Sequence, residues 1–169
     1  IAVVPVGLGT PDGETASAEW FVKEPVLHVT TKALEINQID LRTIEARGFS
    51  PRGVCAALES FLFMQQGMDP KKVILCGHNV SFDVGFLKRL YRLVGLHEYP
   101  FNYRTIDTHS LMWALGTAGK MPMCSSLDEA LEHFNIEVPE GARHTALGDA
   151  LATRSLLWCL LNLMQATDL

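Results

Sequence analysis

The chain has 169 residues, of which 48% are hydrophobic and 20% are charged, and its formal net charge is -5. This composition is that of a folded domain and excludes a disordered chain, and the length suffices for one domain with a sizeable core. The sequence pI of about 5.6 argues against a protein that grips long duplex nucleic acid, because that affinity needs clustered Lys and Arg. An acidic pI does not exclude an enzyme that acts on a few nucleotides at a strand end, because an acidic site binds metal ions that offset the phosphate charge.

No apolar run reaches the roughly 18–20 residues needed to cross a bilayer. The longest, residues 156–164, is interrupted by Asn162. No basic region precedes the apolar run at Ile1, so we predict neither a signal peptide nor a membrane partner. The four cysteines show no Cys-x-x-Cys spacing and fit neither a zinc site nor a dense disulfide framework. A reducing, cytoplasmic setting is therefore the expectation.

The first third of the chain predicts two strands and a helix. Residues 1–6 are β-branched and apolar, which indicates a buried strand. Asp12-Gly13 is typical of a hairpin turn, and a second strand is expected over about residues 18–23. Ser50-Pro51 then predicts a helix N-cap and first turn, and Gly67 predicts the end of that helix.

The middle of the chain alternates strand and helix signals. Residues 73–76 are apolar without alternation, as expected of a strand covered on both faces. A helix follows, with its apolar side running from Phe82 to Val94. Thr105-Ile106 predicts the end of another strand, and Asp107 or Thr108 the cap of the next helix.

The last third is helical. Ser126 and Glu129 fit a capping box, and the final helix is expected from about Thr145 to Met164. Two hairpin strands followed by alternating helices and strands predict an α/β sandwich with a mixed sheet.

Asp83 lies one turn into the helix that follows the buried strand. Open α/β sheets place their binding sites at such strand ends. The alternative is a first-turn acid that only favours the helix dipole.

His144 and Asp149 form a second cluster, before and within the last helix. Five residues of a regular helix turn through about 500°, so two side chains at this spacing would point roughly 140° apart. If both serve one site, His144 must lie in the loop or in the fraying first turn. The alternative is a surface histidine and a solvated aspartate.

Two segments resemble motifs of one enzyme family. Residues 77–87, GHNVSFDVGFL, resemble the second motif of the DEDDh (DnaQ-like) 3′→5′ exonucleases, a family that includes the proofreading subunit of bacterial DNA polymerase III and RNase T. Residues 143–153, RHTALGDALAT, resemble its third motif. Residues 105–108, Ser126-Leu127 and residues 35–39 also fit the layout of the family. Both motifs in the right order favour the functional interpretation of Asp83, His144 and Asp149.

The resemblance implies a ribonuclease H-like three-layer fold, with a mixed sheet flanked by helices, and a two-metal hydrolase. Asp83 and Asp149 would be metal ligands for two Mg²⁺ or Mn²⁺ ions, which prefer hard oxygen donors. His144 would be the general base on the attacking water. The substrate would be the 3′ end of single-stranded DNA or short RNA, and the product a nucleoside monophosphate. Four residues would line the pocket for the terminal nucleotide: His78, Asn79, Phe82 and Asn37. For His78 and Phe82, a place in the core beneath the helix is the alternative.

The first motif of the family, a strand ending in Asp-x-Glu, has no counterpart in the sequence. Asp12-Gly13-Glu14 is rejected, because Thr10-Pro11 precedes it where an apolar strand should stand. Residues 1–4 instead resemble the second strand of the family. We therefore expect residues 1–169 to be a single exonuclease domain that lacks its first strand and two of its carboxylates.

The competing interpretation is a catalytically inactive relative that binds nucleic acid or a polymerase partner. A small-molecule α/β enzyme is disfavoured, because no Gly-rich phosphate loop is present. No stripe of alternating basic and aromatic residues marks a long single-strand track. The apolar last helix fits either the core or a homodimer interface, and the sequence leaves DNA or RNA as the substrate open.

Overall fold

The computed structural model describes residues 1–6, 16–26, 29–37, 39–66 and 69–166, and shows an α/β chain. The predicted turn at Asp12-Gly13 and the predicted helix stop at Gly67 lie outside the described residues. The elements in chain order are β1 (Ala2–Val3), β2 (Ala18–Glu19), α1 (Thr31–Asn37), α2 (Leu41–Arg47), α3 (Pro51–Gln66), a 3₁₀ turn (Pro70–Lys72), β3 (Leu75–Gly77), α4 (Val80–Leu93), β4 (Thr105–Asp107), α5 (Thr108–Thr117), α6 (Leu127–His133) and α7 (Ala146–Gln165).

The strands form one antiparallel and one parallel ladder. β1 pairs with β2 so that Ala2 lies opposite Glu19, and β3 pairs with β4 so that Cys76 lies opposite Ile106. Over the described ranges, no hydrogen-bonded strand pair joins the two ladders. Both orientations required for a mixed sheet are therefore present, in two separate pairs.

The strands are shorter than predicted. β1 covers only Ala2–Val3 of the expected run, and Pro5, which has no N–H to donate, stands just beyond it. β3 begins at Leu75 rather than residue 73, because the backbone N–H of Val73 donates to the carbonyl of Pro70 and closes the 3₁₀ turn.

Helix α3 begins where the sequence predicted. The Ser50 hydroxyl accepts a hydrogen bond from the N–H of Gly53 at 3.2 Å, and Pro51 is the first helical residue. The helix packs against α4 in a core centred on Leu58 and Tyr91, which are 2% and 1% exposed. The Tyr91 hydroxyl donates to the carboxylate of Glu59 at 2.9 Å, which satisfies its polar end inside the core.

A second core lies among α5, α6 and α7. Met112 of α5 meets Leu156 and Leu160 of α7, and all three are fully buried. Helix α7 also contacts β1 and β2. The apolar side of α7 therefore packs in the core of the chain, and a homodimer stays a prediction.

The predicted capping box at α6 is only half formed. The Ser126 hydroxyl accepts from the N–H of Glu129 at 3.2 Å. The Glu129 carboxylate accepts from the N–H of Ser125 at 2.7 Å, not from that of Ser126. The return hydrogen bond is thus shifted by one residue, to the N–H that precedes the N-cap, and the Ser126 hydroxyl satisfies one N–H of the first helical turn.

We expect Leu156→Ala to lower the free energy of unfolding by about 2–5 kcal/mol, because it removes a fully buried side chain at the contact of α5 and α7. Met164→Ala on the same helix is the matched control, since Met164 is 51% exposed and should change stability by less than about 0.5 kcal/mol. Urea denaturation measures both. Equal losses in the two variants would contradict this packing.

Candidate functional site

The first half of the site lies where β3 leads into α4. Asp83 stands in the first turn of α4, and its carboxylate folds back toward Gly77. A Cβ at Gly77 would lie 3.1 Å from Oδ2 of Asp83, so glycine leaves room for the carboxylate there. The residue as a whole is exposed, but its carboxyl end is desolvated. Burial raises the pKa of Asp83, and the negative charge of Asp107 raises it further. A hydrogen bond to the Asp83 backbone lowers the pKa, but by less than burial raises it.

Asp107 fixes the geometry of this half. It is the N-cap of α5, and its Oδ1 accepts from the N–H of His109 at 3.0 Å. The same oxygen accepts from the N–H of Asn79 at 2.9 Å, which ties the start of α4 to the start of α5. Asn79 has φ of 62°, in the left-handed region that asparagine tolerates. The sequence predicted a cap at Asp107 or Thr108 but not the second contact, which spans 28 residues.

His78 lies beside this junction in a defined orientation. Its Nδ1 is 3.1 Å from the hydroxyl of buried Thr108, which is itself 3.3 Å from the carbonyl of Gly77. The Thr108 hydroxyl, the Gly77 carbonyl and Nδ1 of His78 all have partners if the hydroxyl donates to the carbonyl and accepts from Nδ1–H. In that tautomer Nε2 of His78 carries no proton and is an acceptor. The ring packs at right angles to His109, with centroids 5.4 Å apart. Burial lowers the pKa of His78, and His109 lowers it further, so the ring is neutral near pH 7.

The remaining predicted pocket residues differ in their surroundings. Phe82 is 65% exposed and pairs with Phe86, with ring centroids 4.8 Å apart. A core place for Phe82 is therefore excluded. Asn79 is exposed at the start of α4. Asn37 is the last residue of α1, and its side chain lies outside the described part of the structure.

The second half of the site is the turn that leads into α7. Thr145 caps the helix, accepting from the N–H of Gly148 at 3.0 Å. His144 lies in the turn just before this cap, exposed and with φ of 65°. Asp149 stands in the first turn of α7, and its Oδ1 accepts from the N–H of His144 at 3.1 Å. His144 and Asp149 thus lie on either side of the helix start, as their use in one site requires.

Arg143 joins this turn to a neighbouring helix. Its guanidinium donates to Asp149, and its Nε donates at 2.9 Å to Asp128 of α6. Its charge also reaches His78, where it acts to lower the pKa of the imidazole. Sequence reasoning missed this residue, because nothing in the local sequence pairs Arg143 with an acid 15 residues away.

The donor chemistry of Asp83 and Asp149 fits a hard divalent cation. Mg²⁺ is held in proteins by one or two carboxylates, with waters and phosphate oxygens completing its shell. The Asp149 carboxylate forms an ion pair with the guanidinium of Arg143. Across the residues that the structure covers, no three His, Cys, Asp or Glu side chains come together as a preformed metal cluster. The convergence of Asp83, His144 and Asp149 stays a prediction.

Comparison with known proteins identifies the class. A family model described as Exonuclease matches residues 17–157, a range that includes both halves of the site, and the chain belongs to this exonuclease family. The chain is also similar to a DNA polymerase III subunit epsilon-like protein of Rhodobacter capsulatus, with 36% identity over 96 residues. That match covers 57% of this chain and 13% of the relative.

Membership confirms the resemblance predicted from the two motifs, and with it the ribonuclease H-like α/β fold. Membership in the family supports nuclease activity, and members of the family generally use divalent metal ions. In the described ranges, no helix has both the length and the apolar character that a membrane span requires.

We expect Gly148→Ala to destabilise the protein by about 1–3 kcal/mol and to shift the turn that carries His144. An added Cβ would lie 1.9 Å from the carbonyl oxygen of Ala142, and backbone must move to accept it. Gly85→Ala is the matched control, because a Cβ there meets nothing within 4 Å and alanine favours a helix interior by about 0.5–1 kcal/mol. Thermal unfolding compares the two, and a stabilised Gly148→Ala protein would contradict the close approach.

We expect the neutral state of His78 to make stability pH-dependent. Its folded pKa is lowered below the unfolded value, so this contribution is complete above that value, roughly pH 6.5, and is lost as pH falls. Wild type should therefore lose more stability between pH 7.5 and 5.5 than His78→Gln, measured by urea denaturation. The exposed His97→Gln variant is the control and should follow wild type.

Proposed function

We propose that the protein is a 3′→5′ exonuclease that hydrolyses phosphodiester bonds at the 3′ ends of single-stranded DNA or short RNA. The observation that carries the proposal is the family match over residues 17–157, which spans both motifs that bear the acidic residues. The geometry supports it, because Asp83 and Asp149 each stand in the first turn of a helix and His144 lies on an exposed turn beside one of them.

Each residue has a proposed role. Asp83 and Asp149 would hold two Mg²⁺ or Mn²⁺ ions, whose chemistry would be to activate a water and to offset charge on the scissile phosphate. The exposed imidazole of His144 would act as the general base, and its backbone N–H donates to Asp149. This contact fixes the base of the turn and leaves the ring at the surface.

The pocket for the terminal nucleotide would lie at the start of α4. The exposed ring of Phe82 offers a face on which a base can stack. His78 presents Nε2 as a hydrogen-bond acceptor, and the exposed amide of Asn79 offers a donor and an acceptor. Asn37 remains a proposed fourth member of this pocket.

We further propose that residues 1–169 form one exonuclease domain. Two carboxylates are few for two metal ions, so waters and phosphate oxygens would complete the coordination of each ion.

The setting and the partner belong to the proposal as well. We propose a polymerase as the partner and a cytoplasmic setting. The similarity to a DNA polymerase III subunit epsilon-like protein supports the polymerase partner, although the match covers 13% of that relative. The competing candidate is an inactive module that binds nucleic acid or a polymerase.

The test is an assay of the intact protein on 5′-labelled DNA and RNA oligomers of matched sequence, with Mg²⁺ or Mn²⁺. Asp83→Asn and Asp149→Asn should each reduce release of monophosphates about 100-fold or more, because each removes a metal ligand. His144→Ala should reduce it by about 10²- to 10⁴-fold with little change in Mn²⁺ affinity.

The exposed Glu137→Gln variant is the control for surface charge and should be fully active. Full activity of Asp149→Asn would exclude the proposed site. A wild-type protein that binds oligomers in EDTA but releases nothing with either metal would establish the inactive module instead.

A further inference from the structure

The guanidinium of Arg143 lies between two carboxylates from different helices. Asp128 belongs to α6 and Asp149 to α7, and Arg143 forms an ion pair with each. The side chain of Arg143 is 23% exposed, whereas those of Asp128 and Asp149 are 66% and 38% exposed. The cation is thus the most buried member of the trio, held inside by its two acids.

The two contacts use different parts of the guanidinium. Nε and Nη2 both donate to Oδ1 of Asp128, at 2.9 and 2.5 Å, whereas Nη1 donates to Oδ1 of Asp149. Arginine can therefore give up Nη1 and keep its two-donor contact with Asp128. Losing Asp149 would not leave the guanidinium without a counter-ion.

A divalent ion at Asp149 would compete with Arg143, since both are cations that need the same carboxylate. Oδ1 of Asp149 already accepts Nη1 of Arg143 and the N–H of His144. The Asp149 carboxylate is partly shielded from water, so it is more stable with a positive partner than without one. One cation can replace the other at little cost only if the displaced cation has somewhere to go, and Asp128 supplies that place.

We propose that Arg143 is a positioning residue. In the metal-free protein it holds the Asp149 carboxylate, and when a divalent ion binds it leaves Asp149 and stays paired with Asp128 alone. The inference rests on the proposed role of Asp149 as a metal ligand. Arg143 lowers the affinity of Asp149 for the ion. Asp128, which lies outside the proposed ligand set, raises that affinity because it stabilises Arg143 after Arg143 has left Asp149.

The test measures Mn²⁺ binding to the intact protein without substrate, from the electron paramagnetic resonance signal of free Mn²⁺. Arg143→Gln should bind Mn²⁺ about two- to fivefold more tightly, the range of a partly exposed ion pair, because the competing cation is gone. Asp128→Asn should bind Mn²⁺ more weakly by a similar factor, because Asp149 is then the remaining anionic partner of Arg143 in the trio.

The double variant Arg143→Gln/Asp128→Asn should match Arg143→Gln, since Asp128 acts only through the guanidinium. Arg42→Gln, which breaks the exposed ion pair with Asp40 at the start of α2, is the matched control and should bind Mn²⁺ like wild type. Thermal unfolding of each variant checks the fold, and Asp128→Asn keeps the test decisive if Arg143→Gln fails to fold.

Two failures are distinguishable. Unchanged or weaker Mn²⁺ binding by Arg143→Gln, or tighter or unchanged binding by Asp128→Asn, would overturn the inference if Asp149→Asn still loses Mn²⁺. Undiminished Mn²⁺ binding by Asp149→Asn would instead remove the proposed metal ligand, and the inference with it.

Discussion

A carboxylate that is partly shielded from water gains from a positive partner, and the two acids of the proposed site differ in the partner that they have. Asp149 has the guanidinium of Arg143 and the N–H of His144 against one oxygen. Asp83 lies over Gly77 near the like charge of Asp107, and burial raises its pKa. One half of the site therefore carries its own cation, whereas the other half gains most from a cation supplied from outside.

The helix starts could be predicted because their signals are local. Ser50 and Thr145 each accept an N–H from three residues ahead, a contact fixed by the chain itself. Strand extent could not be predicted in the same way, because a strand needs partners that the sequence does not name. The run at residues 1–6 has ladder contacts only over Ala2–Val3, and Val73 is drawn into the preceding turn by Pro70.

The placement of the site residues shows the same difference between local signals, which the sequence reveals, and contacts between distant residues, which it does not. If His144 and Asp149 serve one site, their spacing requires that His144 lie outside the regular helix, and the structure places His144 just before the cap, with a left-handed backbone. The contacts of Asp107 with Asn79 and of Arg143 with Asp128 join separate helices. Such contacts arise from packing, so the spacing of residues along the chain gives no signal for them.

An acidic chain in a family that handles nucleic acid is less contradictory than its net charge of -5 suggests. Phosphate is also an anion, so the acids of the site repel the substrate until cations lie between them. In the proposed site Arg143 offsets the charge of Asp149 before metal binds, and metal ions would offset the charge of both acids, with Asp128 holding the arginine that they displace. Substrate would then bind more tightly to the protein with metal than to the protein without it, so binding of substrate would be linked to binding of the ions that make hydrolysis possible.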